Sequence, residues 1–133
     1  CLQEDSTRPA LVFMHHPPFI TGMGAMDEPF EGADLLRDVL SRAPWARLCC
    51  GHMHRPIFTA WAQGLALTVP SISMQIDLDL SPEGGDTFRM EMPGYMLHHW
   101  DGSHLNSHVC QIPADVDFSG PHPFADSVNP VED

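Results

Sequence analysis

Apolar residues in this chain fall in short clusters separated by Pro and Gly. Leu11-Val12-Phe13-Met14 is a continuous apolar run bounded by Pro9 and Pro17. It predicts a short strand over 8–14, covered on both faces. His15-His16-Pro17-Pro18 ends that strand and opens a loop reaching to about Phe30. A loop of that length is expected to carry function rather than merely connect. Leu36, Val39, Leu40 and Ala43 then fall at helical spacing, with Asp34, Arg37 and Asp38 around the other side. They predict a helix over about 31–43. Glu31 and Asp34 suit its positive end, and Pro44 stops it. A second apolar strand over 47–50 runs straight into Gly51-His52-Met53-His54. The order strand, helix, strand predicts a β-α-β unit, two parallel strands with a right-handed crossover. Both His-bearing segments then follow strand carboxyl ends, the edge at which open α/β sheets bind ligands.

Beyond residue 56 the pattern becomes strand-rich. Strands are expected over 57–61, 65–69, 73–80, 87–92, 95–100 and 103–112. In the third of these, Ile76, Leu78 and Leu80 alternate with polar residues, predicting one buried face. Asp101-Gly102 reads as a two-residue hairpin turn. That turn sets Trp100 opposite Ser103, His99 opposite His104, Leu97 opposite Asn106 and Tyr95 opposite His108. His99, His104, Asn106 and His108 would share a face, as an accessory metal site, a surface closing over substrate or, the favoured reading, a polar strand face. His98 and Leu105 would point the other way. From residue 113 the chain is rich in Pro and Asp without periodicity, so 1–112 is expected to form the folded part and 113–133 an irregular tail or arm.

Composition narrows the possible partners. The 133 residues are one domain's worth, and 6 Lys+Arg against 18 Asp+Glu give a net charge of −12. That balance argues against a nucleic-acid polymer or an anionic membrane as partner. No apolar run approaches a membrane span. Residues 1–5 lack the features of a secretory signal, and the four Cys form no C-x-x-C. Reduced thiols in a cytoplasmic protein are therefore expected. The 9 His invite a metal reading, since neutral imidazole is the commonest metal ligand.

The chemistry concentrates in two motifs. Gly51 is expected to open a tight loop in which His52 and His54 converge. His15-His16-Pro17-Pro18 lies at the same end of the neighbouring strand. The two motifs, in this order and separated by one helix, resemble the C-terminal half of the calcineurin-like metallophosphoesterases. The nearest likeness is to the class III cyclic-nucleotide phosphodiesterases and glycerophosphodiesterases. The likeness is close over the first half of the chain and looser beyond. It implies the C-terminal half of a four-layer α-β-β-α sandwich and an α/β (α+β) fold. It implies hydrolysis of a small phosphodiester at two divalent or trivalent metal ions, Mn, Fe or Zn. Carried over by position, His15 and His52 would bind one metal and His54 the other. His16 would hydrogen-bond the substrate phosphate or support the ligands. Arg55 would lie near the substrate's charge or pair with one of the many surface carboxylates, the second reading being favoured.

The family's D-x-H, G-D-x-x-D and G-N-H-[DE] motifs do not occur in these 133 residues. The expectation is therefore a chain that holds only the C-terminal ligands. It would associate as a homo-oligomer or with the missing N-terminal half. The alternative is an inactive fragment, serving as an oligomerisation or partner module with at most one bound metal.

Overall fold

The computed structural model describes residues 2, 5–28, 30–85 and 87–113. The tail expected from 113 lies, from residue 114 on, outside the described residues. The β-α-β unit is present. β1 (Ala10–Met14) and β2 (Ala46–Cys50) run parallel, with Val12 opposite Leu48 and Met14 opposite Cys50, and α1 (Ala33–Leu40) connects them. β2 also pairs in parallel with β4 (Gly64–Thr68). β3 (Ile57–Trp61) lies antiparallel to β4, giving the order β1-β2-β4-β3.

The helix is shorter than its periodicity predicts. It starts after Gly32, which adopts φ 90°, and ends at Leu40, where the Ser41 N–H still bonds the Arg37 carbonyl at 2.8 Å. Residues 42 and 43 close in looser turns, because the residue before Pro44 is disfavoured in helical geometry. Eight residues present only a narrow apolar stripe. Leu40 and Ala43 are buried with Ala46, Leu48, Cys50 and Ala66, and Leu36 packs at their edge. Val39, expected in that stripe, faces solvent instead.

The reverse face of the sheet carries Leu11, Phe13, Arg47, Cys49 and Leu65. It receives the hairpin of β7 (Gly94–Trp100) and β8 (Leu105–Gln111). Arg47 donates to the Ser107 hydroxyl and, at 2.7 Å, to the Leu105 carbonyl. The His98 ring lies 3.7 Å from Cys49 Sγ and meets Phe13 edge-on. Covering of β1 on both faces, which its unbroken apolar run predicts, is not complete among the described residues: Phe13 is 69% exposed. Adjacent Cys49 and Cys50 point to opposite faces, and both are buried free thiols.

The hairpin's register departs from the two-residue turn by two positions. Trp100 pairs with Leu105, His99 with Asn106, Leu97 with His108 and Tyr95 with Cys110. The Asp101 carboxylate accepts the N–H groups of Ser103 (2.7 Å) and His104 (2.6 Å), closing a four-residue loop. A slip of two preserves side-chain parity, so His99, Asn106 and His108 still share one face and His98 the other. The strand expected over 73–80 contracts to β5 (Gln75–Ile76), paired with β6 (Phe88–Arg89), itself only two residues of the 87–92 expected. Past Asp77 the backbone turns on itself: the Asp79 N–H bonds the Asp77 carbonyl and the Asp79 carboxylate takes the Ser81 N–H. Leu78 and Leu80 are consequently exposed, against the alternation that predicted their burial.

Candidate metal centre

The β1–β2 ladder aims two loops at one place. At its carboxyl end the Gly51 N–H bonds the Met14 carbonyl at 3.2 Å, so His15 and Gly51 leave the sheet side by side. Gly51 is not needed for a left-handed turn; its importance is the space it leaves. A Cβ there would stand 3.2 Å from Nδ1 of His15. The left-handed positions are the histidines themselves, His52 at φ 65° and His54 at φ 50°. Non-glycine residues in that region carry strain of about 1–3 kcal/mol each and persist only where the surroundings enforce it. Two surroundings do so here. Met53, between them, is completely buried. Buried Thr68 ties the loop's end to β4 by donating to the Arg55 carbonyl and accepting the Ile57 N–H at 3.1 Å.

The result is a cluster of imidazoles at the strand ends. Ligand nitrogens of His15, His16 and His52 all lie within 4.8 Å of one another. Ring centroids of His16 and His52 are 4.4 Å apart, and those of His15 and His16 4.7 Å. His52 donates its Nε2–H to the Met26 carbonyl at 3.1 Å, which leaves a lone pair on Nδ1. His16 sets Nε2 3.1 Å from the Glu28 carboxylate, so its Nδ1 is the nitrogen without that partner. His54 stands apart from this group. It donates Nδ1–H to the Met74 carbonyl at 3.2 Å and keeps the lone pair on Nε2. One ring nitrogen anchored to a carbonyl or carboxylate, the other presenting a lone pair, is the second-layer arrangement that orients metal-binding histidines. The donor set therefore suits a metal ion.

The 21–27 loop is shaped to serve this cluster. The Asp27 carboxylate accepts the Thr21 N–H (2.9 Å), the Thr21 hydroxyl (2.8 Å) and the Gly22 N–H (2.9 Å). That leads into the 3₁₀ turn Gly24–Met26 whose last carbonyl meets His52. Met23 is buried beneath it. Glu28 and the Met26 carbonyl are parts of the site that sequence reasoning does not identify, because only the fold brings them to the histidines.

Arg55 has partners of its own. It donates to the Ile76 carbonyl and to the Glu91 carboxylate at 2.7 Å, bracing the β5–β6 arm against the loop. The hairpin residues His99, His104, Asn106 and His108 are exposed to solvent. Among the described residues only His15, His16 and His52 gather three metal-binding side chains.

Three imidazoles converge at the carboxyl ends of parallel strands in an α/β sheet, and sequence similarity gives this arrangement a context. The chain is a relative of bacterial phosphodiesterases of the metallophosphoesterase type. It is 36% identical over 127 residues to the probable glycerophosphodiester phosphodiesterase GpdQ of Arcobacter nitrofigilis, an alignment covering 92% of this chain and 45% of that protein. It is 32% identical over 113 residues to the probable cyclic nucleotide phosphodiesterase RPA0124 of Rhodopseudomonas palustris, covering 83% and 41%. It is 30% identical over 106 residues to the glycerophosphodiester phosphodiesterase GpdQ of Enterobacter lignolyticus, covering 76% and 37%. The chain thus spans less than half the length of these relatives. No protein-family model matches it.

Proposed function

We propose that this chain supplies the carboxyl-terminal metal ligands of a phosphodiesterase acting on a small phosphodiester, of cyclic-nucleotide or glycerophosphodiester type. The observation that carries this reading is the convergence of His15, His16 and His52 at the strand ends, with the His52 ring anchored by the Met26 carbonyl and the His16 ring by Glu28. His15 and His52 would hold one ion. His54, with Nε2 turned free by the Met74 carbonyl, would serve a second ion, Mn, Fe or Zn, in a four-layer α-β-β-α sandwich whose other ligands lie outside these 133 residues. Divalent ions there would acidify water and neutralise charge on the phosphate oxygens. The chain's own residues do the positioning. The Met26 carbonyl fixes the tautomer of His52, and Glu28, beside His16 Nε2, would orient that ring for the substrate phosphate. Arg55 would hold the β5–β6 arm through the Ile76 carbonyl and Glu91.

A bridged metal pair requires a carboxylate between the ions, and among the described residues no Asp or Glu joins the histidine cluster; Glu28 only pairs with His16. The exposed Phe13 and the edge of β1, which no strand among the described residues pairs, favour association, with a second copy or with the remainder of a longer domain. We expect this chain to reside in the cytoplasm; among the described residues no helix is long and apolar enough to cross a membrane.

The test has two readouts. Calorimetric titration of the 133-residue chain with Zn²⁺ or Mn²⁺ should show one site, abolished in His15→Ala and His52→Ala and weakened in His16→Ala. Turnover of bis(p-nitrophenyl) phosphate by the same chain should be negligible. No metal binding would sink the ligand assignment, and robust turnover would show that the chain needs no further ligands.

A further inference from the structure

A second cavity lies at the opposite end of the sheet. It is walled by Arg8 and Pro9 before β1, Trp45 and Arg47 around the start of β2, and Trp100 and Ser103 at the loop end of the hairpin. The histidines follow the other ends of the same strands, five residues on. At ~3.3 Å per residue the two sites are about 16 Å apart. The cavity encloses about 390 Å³, within the range of small-molecule sites, ~300–1,000 Å³.

Its chemistry is opposite to that of the chain. The protein carries 18 Asp+Glu and only 6 Lys+Arg. Two of those six cations line this one cavity, and no carboxylate lines it among the described residues. Arg47 is half-buried and makes no ion pair among the described residues. Its terminal nitrogens go to Ser107 and the Leu105 carbonyl, while its Nε is sealed from solvent with no acceptor. The indole Nε1 of Trp45, another residue of the cavity wall, is likewise buried without an acceptor. A buried donor left unpaired gives up its hydration without compensation, so orphans are rare in native proteins. Here two residues of one cavity wall each carry one, and both are donors. Arg8 engages only its Nε, with Asp5 at 2.7 Å. Spare donors, the charge of Arg47 that no carboxylate among the described residues offsets, and two indole side chains on the wall suit a ligand with acceptors, negative charge and a flat ring.

We propose that this cavity binds a small organic anion, a ring bearing a carboxylate or a phosphate. Its head would meet Arg47, Arg8 and the Trp45 N–H, and its ring would lie against the Trp45 and Trp100 indoles. Guanidinium groups pair with either head group by charge-assisted hydrogen bonds. A modest turn of the Trp45 and Arg47 side chains would expose their sealed donors to it. A ligand held there would tie the hairpin loop to the strand starts.

The chain contains three Trp, and the third, Trp61, is not among the residues that line this cavity and lies instead under the Arg37 guanidinium of α1. Their indole N–H resonances in a two-dimensional NMR spectrum therefore locate binding. The probes are adenosine 5′-monophosphate, benzoate and inorganic phosphate, each titrated to millimolar concentration into the full 133-residue chain. We expect saturable shifts of the Trp45 and Trp100 signals with the nucleotide or with benzoate, and a still Trp61 signal. The probe that saturates first assigns the phosphate or the carboxylate form. Arg47→Met should weaken binding at least about tenfold, the loss typical of a charge-assisted hydrogen bond. Arg8→Gln, at an exposed position, should weaken it severalfold. Three results would each overturn the proposal: no saturable shift with any probe, affinity unchanged in Arg8→Gln and Arg47→Met, or inorganic phosphate binding as tightly as the ring-bearing probes.

Discussion

Gly51→Ala separates the proposed metal centre from the fold that carries it. The added Cβ would stand 3.2 Å from His15 Nδ1 and 3.8 Å from its Cε1. Ordinary van der Waals contact begins near 3.4 Å, so the imidazole must retreat by a few tenths of an ångström. Because Gly51 has no left-handed backbone to lose, alanine costs no strain there, and restricting the unfolded chain returns ~0.4–1 kcal/mol. The steric contact offsets that gain, so global stability should change by less than about 1 kcal/mol. Ligand placement is less forgiving, since metal–ligand distances hold to about ±0.2 Å. Displacing one imidazole by more than this should lower metal affinity about 10- to 100-fold, equivalent to ~1.4–2.7 kcal/mol. Gly94→Ala provides the opposite case. Its Cβ would lie 2.8 Å from the Cys110 carbonyl oxygen and 3.2 Å from Pro70, backbone and ring that cannot step aside. It should destabilise by ~1–3 kcal/mol while leaving metal affinity alone. Calorimetric Zn²⁺ titration beside urea unfolding measures both quantities. Wild-type affinity in Gly51→Ala, or equal destabilisation in the two variants, would refute the reasoning.

Three further outcomes are expected. The β3–β4 turn places Ala62 (φ 51°) and Gln63 (φ 63°) both in the left-handed region, a geometry that favours Asn-Gly. Ala62→Asn with Gln63→Gly should therefore raise stability by about 1 kcal/mol in urea unfolding, and an unchanged midpoint would contradict the strain. Burial, reinforced by the Arg47 charge, holds the His98 pKa below its ordinary 6.5. The unfolded chain then binds the extra proton first, so stability from this group is full above 6.5 and declines as pH falls toward the folded value. His98→Gln should flatten the pH dependence in that window, and an identical slope in both proteins would rule His98 out as its source. Burial pushes the Cys49 thiol up to about 11 and Cys50 up to about 12. At pH 8 about one Cys49 in a thousand is thiolate, so native alkylation by iodoacetamide, read by mass spectrometry, should favour Cys110 and spare both. Rapid labelling of Cys49 would show that it is not sealed.

The parts of the fold that were legible in sequence are those set by local pattern. The apolar runs at 11–14 and 47–50, with helical spacing between them, specify the β-α-β unit, and its topology forces His15 and His52 to the same edge. Hairpin side-chain parity was legible even though Asp101 closed a longer loop, because two residues of slip return each side chain to its face. What escaped depends on distant partners. The arm after residue 73 has an alternating pattern but only two bonded residue pairs, so its apolar side chains are left outside.

The division among the histidines has the same origin. His52 and His54 are two apart, and on an extended strand they would share a face. Each is instead turned into left-handed geometry about the buried Met53, and each donates a proton to a carbonyl from a different loop, Met26 for one and Met74 for the other. Neither carbonyl is specified by the sequence near the motif. The motif supplies the imidazoles and the glycine that admits His15; the folds of the 21–27 loop and of the 71–76 segment decide which nitrogen each imidazole presents and in which direction. A carbonyl cannot be deleted by substitution, but the loop that carries it can be released. Asp27→Ala removes the acceptor that closes 21–27. On this reasoning it weakens the metal site through His52 while His54 keeps its anchor.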